Sequence, residues 1–340
     1  MSRYRIIIVV ACIILVLVST VAIVYYLISM KSEHITIRFG TNPISSGHYI
    51  PFIVAYEKGW FKEAGIELDI QTFTQGSVHM KAVVARALDM GQVGVSPLVT
   101  AIDGGVKIKI IYAYQSGGSL FVVRNGIAIY NVSDFLHYVS ENPGQFKLGT
   151  YAPGAVQYTI MVDWLTSMGI DYEKDIDFIT TVSPPDLPKL LQAGSLDGVF
   201  SSYGYLITLL ENGDARIITN SLDMWPQHAC CAIYATEDFI QEHRSVVKSF
   251  VQVLDRAIKW TRENLVEAYK INAEGGWFEG VSPELHLKYG QKSGISWLTS
   301  DDHEEILSYI QSTLKFSDTL YQLGLTRHKL NENDLFYLSL

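Results

Sequence analysis

The sequence predicts an α/β fold built on largely parallel sheets. Short segments that alternate apolar and polar residues, such as Ile35–Phe39 and Ile66–Ile70, have the period of half-buried strands. Segments with helical periodicity lie between them, and strands that alternate with helices are typical of parallel sheets. In such sheets, ligands bind beyond the carboxyl ends of the strands.

The loops that follow these strands are rich in small polar residues and lead into helices. The turn-rich segment Asn42–Gly47 follows the first strand, and Gln75–Ser77 starts a helix in which we expect Ser77 to be the N-cap. Ser96 and Pro97 have the pattern of an N-cap followed by proline at the first helical position. Helices that start at the carboxyl ends of neighbouring strands predict a ligand cleft at that edge of the sheet.

The rest of the chain repeats these units. We expect strands at Phe146–Thr150, Ile176–Ile179, Gly198–Phe200, Arg216–Ile218 and Cys231–Tyr234. We expect helices at Val156–Gly169 and Leu187–Ala193, and a long amphipathic helix from about Thr236. We also expect helices at Pro283–Thr299 and Asp301–Leu323 that pack on the first lobe.

Four motifs, in order, carry a family resemblance. They are G-x-N-P at residues 40–43, P-F-I-V-A-Y-E-K-G-W-F-K-E-A-G-I-E-L-D-I at 51–70, A-L-D-M-G-Q-V-G-V-S-P-L at 87–98 and L-L-Q-A-G-S-L-D-G-V at 190–199. Their order and spacing resemble solute-binding proteins of ABC importers, in the SsuA-like and NMT1-like branch. That branch takes up nitrate, taurine, alkanesulfonates and thiamine-pyrimidine precursors.

The resemblance covers roughly residues 36–265 and implies a two-lobed, type II periplasmic-binding-protein-like fold. Lobe 1 would comprise residues 35–124 and 228–340, and lobe 2 residues 125–227. We expect the chain to cross between the lobes near Val123–Gly126 and near Gln227–Ala232, and the two crossings to act as a hinge. One departure concerns the ligand class, because Tyr203-Gly204 stands where many relatives have Glu-Pro.

The N-terminal segment, residues 1–34, is predicted to be a single-pass membrane anchor. The uncharged run Ile6–Met30 would span about 37 Å as a helix, enough to cross a hydrocarbon core of about 30 Å. Arg3 and Arg5 precede it and predict a cytoplasmic N-terminus with the rest of the chain outside. The alternatives are a cleaved signal peptide, which gives a secreted protein, and lipid anchoring at Cys12.

Composition and spacing argue against several other functions. The net charge of −9 argues against a nucleic-acid partner. No paired His or Cys spacing predicts a metal site, and no motif predicts a catalytic residue or a cofactor. Cys230 and Cys231 are adjacent in a predicted strand, so we expect their side chains on opposite faces, as small buried apolar groups.

The candidate ligand-binding residues lie on loops that precede helices. Helix N-termini offer unpaired N–H groups and the positive end of the helix dipole, which would hold a small anion. Tyrosines would instead line a flat pyrimidine-type ring. The candidates are Ser45, Ser46, His48, Tyr49, Gln75, Gly76, Ser77, Ser96, Gln115, Ser116, Gly154, Ala155, Gln157 and Tyr203.

The resemblance and the loop chemistry together predict an extracytoplasmic substrate-binding protein of an ABC transporter. It would capture a small anion or a pyrimidine-type ligand between the lobes and deliver it to the permease. Its partners would be that ligand, the ABC permease and the membrane, through the N-terminal helix. The alternatives are an enzyme of the same fold, of the thiamine-pyrimidine or menaquinone-pathway type, or a membrane-anchored ligand sensor.

Overall fold

The computed structural model describes residues 35–278 and 280–338, together with residues 13, 19 and 20. The rest of the predicted membrane anchor lies outside these residues. Within the part of the chain so described, no helix has the length and apolar character needed to span a membrane.

Eleven strands in this part of the chain form two separate sheets. In chain order they are β1 Ile35–Thr41, β2 Ile66–Thr72, β3 Met90–Gly94, β4 Ile108–Ser116, β5 Ser119–Arg124, β6 Phe146–Gly149, β7 Ile176–Ile179, β8 Gly198–Ser202, β9 Ala215–Asn220, β10 Ala229–Thr236 and β11 Ser296–Trp297. The first sheet has the order β11-β4-β10-β3-β1-β2 and the second β7-β6-β8-β5-β9. This arrangement confirms the predicted α/β fold with two sheets.

Most strands of each sheet run in one direction, and the exceptions are informative. Strand β1 is parallel to β2 and β3, and β6 is parallel to β7 and β8. Strand β5 is antiparallel to β8 and β9, and β10 is antiparallel to β3 and β4. These two strands are the first that the chain forms after each crossing between the sheets. Strand β11, at the edge of the first sheet, is reversed as well, since it is antiparallel to β4.

Fifteen α-helices of the described residues surround the sheets. They are α1 Ile50–Glu57, α2 Trp60–Glu63, α3 Gly76–Val84, α4 Val95–Asp103, α5 Val132–Glu141, α6 Val156–Ser167, α7 Leu187–Gln192, α8 Tyr203–Glu211, α9 Ser221–Met224, α10 Glu237–Glu242, α11 Arg244–Glu263, α12 Leu265–Glu274, α13 Pro283–Lys292, α14 His303–Gln322 and α15 Glu332–Leu335. The predicted long helix from Thr236 is therefore two consecutive helices, and the segment predicted as helix to Thr299 ends earlier and continues into β11.

The first crossing between the sheets lies earlier than predicted. Strand β5 pairs only within the second sheet, so the first crossing is Gly117–Gly118 rather than Val123–Gly126. Both glycines have positive φ, 69° and 94°, which an L-residue adopts at a cost. The second crossing lies between β9 and β10, and it also holds a residue with positive φ, Gln227 at 54°. We infer a hinge at these two short segments.

The sequence predicts that the C-terminal helices pack on the first lobe. In the structure they contact both halves. Tyr289 of α13 belongs to the apolar core of the second sheet, and its hydroxyl donates a hydrogen bond of 2.7 Å to Glu211 at the end of α8. Lys315 of α14 forms an ion pair of 2.9 Å with Asp163 of α6. The sequence pattern showed that these segments are helical and amphipathic, but long-range packing determined which sheet they contact.

Candidate functional site

A cavity of about 270 Å³ lies between the two sheets, at the edge where the helices start. Its walls come from both halves: β3, α3 and α4 on one side, and the residues around the starts of α6 and α8 on the other. The volume is at the lower end of the range for small-molecule sites, so it suits a ligand of a few heavy atoms rather than a peptide.

Nine of the fourteen candidate residues line this cavity: Ser46, His48, Tyr49, Gln75, Gly76, Ser77, Gly154, Ala155 and Gln157. The other five do not line it. Gln115 lies directly behind the wall, where its side-chain oxygen is 3.0 Å from Nδ1 of His48. Ser45, Ser96, Ser116 and Tyr203 are buried in the surrounding structure.

Four helices of nine or more residues begin at the cavity wall, and none of them has a side-chain cap. They are α3, α4, α6 and α8, whose N-cap residues are Gln75, Gly94, Ala155 and Ser202. All four N-cap residues line the cavity. Ser77 and Ser96 were predicted as N-caps, but both lie inside their helices. The first N–H groups of a helix have no partner within it, so this wall can bind an anion through backbone donors.

The cavity wall contains no ionised carboxylate, ammonium or guanidinium group among the residues that the structure describes. Its polar side chains are mostly held by one another. The hydroxyl of Tyr151 is 2.8 Å from Oγ of Ser202, and Nε2 of Gln157 donates to Oγ of Ser119 at 3.1 Å. Burial raises the pKa of Tyr49 and of Tyr151, so both phenols stay neutral. A bound anion would be balanced by dipoles.

Tyr203 and Gly204 hold the two halves together behind the cavity. The Tyr203 hydroxyl donates a weak hydrogen bond of 3.4 Å to the carbonyl of Gly47 and lies 3.3 Å from the hydroxyl of Tyr269. A Cβ atom at Gly204 would collide with the backbone oxygen of Ser45. Glycine at this position therefore permits a close approach of α8 to the loop before α1. The pair Tyr203-Gly204 therefore determines how closely the two halves meet.

His48, Cys230 and Cys231 form a compact group in the cavity wall. The two sulfur atoms are 3.8 Å apart, and Nδ1 of His48 is 3.6 Å from Cys230 Sγ and 3.5 Å from Cys231 Sγ. This contradicts the expectation that the cysteines point to opposite faces. The pairing of β10 with β4 shifts register on both sides of Cys231, and such a bulge breaks the alternation of side chains.

The environment separates the two thiols chemically. A hydrogen bond from Cys230 and, to a smaller extent, contact with His48 lower the pKa of Cys231 to about 6, against the opposing effect of burial. The same hydrogen bond, together with burial, raises the pKa of Cys230 well above its usual range. The environment therefore favours ionisation of Cys231 over that of Cys230, and thiolates are the form that binds metals.

Several residues that line the cavity are not among the candidates predicted from the sequence. Tyr205, not the predicted Tyr203, lies at the cavity, two residues further along α8. Tyr151, which is not among the fourteen candidates, also lines the cavity. The strand pattern predicted that the two cysteines point to opposite faces, and no local spacing reveals that His48, 182 residues from Cys230 along the chain, lies beside them.

The chain belongs to the NMT1-like family, whose model matches residues 30–272. It is 27% identical over 224 residues to a putative aliphatic sulfonates-binding protein of Bacillus subtilis, covering 64% of each chain. The chain spans between 31 and 64% of the length of four curated relatives that it matches.

Solved structures of binding proteins share the fold at low sequence identity. A ligand-binding component of an ABC-type import system from Staphylococcus aureus, crystallised with zinc, superposes with a TM-score of 0.74 at 14% identity, covering 89% of this chain and 97% of that one. The periplasmic nitrate-binding protein NrtA from Synechocystis gives 0.72 at 15%, covering 88% and 83%. These neighbours confirm the two-sheet, periplasmic-binding-protein type of fold.

Proposed function

We propose that this protein is the extracytoplasmic substrate-binding protein of an ABC importer and that it takes up a small anion. The observation that carries this proposal is the convergence of four uncapped helix N-termini on one small cavity whose described lining contains no Asp, Glu, Lys or Arg. Backbone N–H groups and helix dipoles bind anions without a counter-charge. Relatives named for aliphatic sulfonates and for nitrate support this ligand class.

The two halves and their crossings support a mechanism of capture by closure. Residues from both sheets contribute to the wall, so a bound ligand would bridge them. The positive-φ residues Gly117, Gly118 and Gln227 lie at the two crossings, and hinges are typically short segments of this kind. Closure would bring both halves into the relative position that the permease recognises.

A pyrimidine-type ligand is the second candidate, because Tyr49, Tyr151 and Tyr205 also line the cavity. Aromatic side chains of this kind stack on flat rings and offer hydroxyl groups to their edges. The enzyme and sensor alternatives have less support, since the named relatives above are binding proteins. We further propose that residues 1–34 anchor the protein in the cell membrane, with the binding domain outside.

The test is thermal unfolding of the full-length chain, in detergent, against nitrate, taurine, alkanesulfonates, bicarbonate, phosphate and hydroxymethylpyrimidine. A ligand at one hundred times its dissociation constant stabilises the folded state by about 2.7 kcal/mol. We expect a shift with one class of anion. A shift with hydroxymethylpyrimidine alone would mean that the ligand is of the pyrimidine type and not a small anion. No shift with any compound, confirmed by calorimetry, would argue against the proposal.

A further inference from the structure

Three donor atoms in the cavity wall are spaced as the ligands of one metal ion would be. Nδ1 of His48 and the sulfurs of Cys230 and Cys231 are separated by 3.5, 3.6 and 3.8 Å. A zinc ion binds sulfur at about 2.3 Å and imidazole nitrogen at about 2.0–2.1 Å, with tetrahedral angles. Those values place two sulfurs about 3.8 Å apart and a sulfur and a nitrogen about 3.6 Å apart. The three observed separations match one face of such a tetrahedron.

The surroundings favour a soft divalent cation over a hydrogen-bonded dithiol alone. All three side chains are at least nine-tenths buried, with exposed fractions of 3%, 1% and 8% for His48, Cys230 and Cys231. A divalent cation with two thiolates and a neutral imidazole carries no net charge, so it suits a wall whose described residues include no Asp, Glu, Lys or Arg. Thiolate and imidazole donors are the set that zinc prefers.

The hydrogen bond of His48 indicates which proton a metal ion would replace. Nδ1 lies 3.0 Å from the side-chain oxygen of Gln115, so in the metal-free protein it carries a proton that this oxygen accepts. A metal ion would take the place of that proton and of the shared thiol protons, because ligands must be deprotonated. The side-chain amide of Gln115 also donates to the carbonyl oxygens of Ser116 and Gly117, each at 2.7 Å, which fixes its position beside the group.

We propose that His48, Cys230 and Cys231 bind Zn²⁺ or a closely related thiophilic divalent cation, with a fourth coordination position open to the cavity. All three residues line that cavity, so a captured solute with an anionic or nitrogen donor would complete the coordination. The occupant of the fourth position rests on the proposed function; the three-residue metal site does not.

The experiment uses the full-length chain in detergent with Cys12 replaced by serine, so that thiol signals arise from Cys230 and Cys231 alone. The protein is reduced, stripped of metal and titrated with Zn²⁺ and with Co²⁺. We expect one equivalent per chain and the sulfur-to-cobalt charge-transfer bands of a tetrahedral thiolate site. Replacing an outer-shell partner typically weakens a metal site 10–100-fold, so losing one ligand in Cys231→Ser or His48→Gln should weaken it at least about 100-fold.

The matched control is His303→Gln, which removes an exposed histidine at the start of α14 and should leave metal binding unchanged. Circular dichroism of each metal-free variant checks that it is folded, and the cobalt spectrum of the parent chain tests the site without any variant. Two outcomes would overturn the proposal: no stoichiometric binding by the reduced chain, or binding that survives in Cys230→Ser/Cys231→Ser.

Solute binding is then measured with and without the metal, which separates the two proposals. Solute binding by the metal-free protein at unchanged affinity would retain the transport function and disprove the role of the fourth position. Stoichiometric metal binding with no solute shift would retain the metal site and argue against the proposed ligand class.

Discussion

Two groups of helices in this protein begin in different ways, one at the cavity and one away from it. Helices α5, α9, α10, α13 and α15 each have a side-chain cap, supplied by Asn131, Asn220, Thr236, Ser282 and Asn331. None of these five residues lines the cavity, whereas α3, α4, α6 and α8 start at its wall and have none. Most other uncapped helices follow directly on a preceding helix or 3₁₀ turn.

The difference has a physical reason. A side-chain cap satisfies N–H groups at the start of a helix and contributes about 1 kcal/mol of stability. A helix that must donate to a ligand cannot also donate to its own cap. The cavity helices thus lack a stabilising contact that the peripheral helices have, and a bound ligand would supply it. Binding should therefore stabilise the protein at the starts of α3, α4 and α6 in particular, since the first N–H of α8, that of Tyr203, already donates to the carbonyl of Gly118 at 3.0 Å.

The largest expected effect comes from filling the space in front of one uncapped helix. In Gly76→Leu, the new side chain would enter the wall where even a Cβ atom lies only 2.6 Å from Cγ of Pro97. We expect solute affinity to fall at least about 100-fold, or roughly 2.7 kcal/mol, measured by calorimetry. Val78→Leu, an exposed position on the same helix, is the control. Unchanged affinity in Gly76→Leu would place the solute elsewhere.

A smaller loss should follow from separating the start of α8 from the loop before α1. In Gly204→Ala, the added methyl group collides with the carbonyl oxygen of Ser45, so the two halves must move apart. We expect a fall in affinity of about tenfold, or roughly 1.4 kcal/mol. The control is Gly104→Ala, at a glycine with ordinary φ and contacts of 3.3 Å or more. Equal affinities in both variants would show that solute binding does not depend on the close contact between Gly204 and Ser45.

A third variant would give the cavity helix α3 the side-chain cap that it lacks. Gln75 has the extended backbone of an N-cap, with φ −144° and ψ 148°, so aspartate there can accept from the first N–H groups of α3. In Gln75→Asp we expect the free energy of unfolding to rise by about 0.5–1 kcal/mol, while anion affinity falls several-fold through competition and repulsion. Gln75→Asn supplies the cap without the charge and separates the two causes. An increase in anion affinity would contradict this account.

Removing the side-chain cap of a helix away from the cavity should lower the stability of the protein and have the smallest effect on solute binding. The side chain of Asn131 accepts from the N–H of Asp134 at 2.9 Å, away from the cavity. We expect Asn131→Ala to lower the free energy of unfolding by about 1 kcal/mol, measured by denaturant titration, with solute affinity unchanged. A parallel loss of affinity would mean that the two groups of helices are energetically coupled.

The strands and helices were largely predictable because they depend on local periodicity. Ile35–Phe39 alternates because one face of β1 is buried, with Ile37 and Phe39 fully inaccessible to solvent. The loops at the strand ends were predictable for a similar reason, since the topology of a parallel sheet brings them to one edge. Tyr203 and Tyr205 show where this reasoning fails, because the direction of a side chain at a helix start depends on how the helix packs.

The sequence by itself determined the fold class, the order of its elements and the edge at which a ligand site forms, because these follow from hydrophobic periodicity and chain connectivity. Only the tertiary structure decided where the chain crosses between the sheets, since Ser119–Arg124 is a strand in either half until its pairing is known. It also brought His48 to Cys230 and Cys231, through a bulge that no local pattern of residues reveals. Contacts between residues far apart in the chain depend on packing of whole elements, and that information is not contained in any one segment.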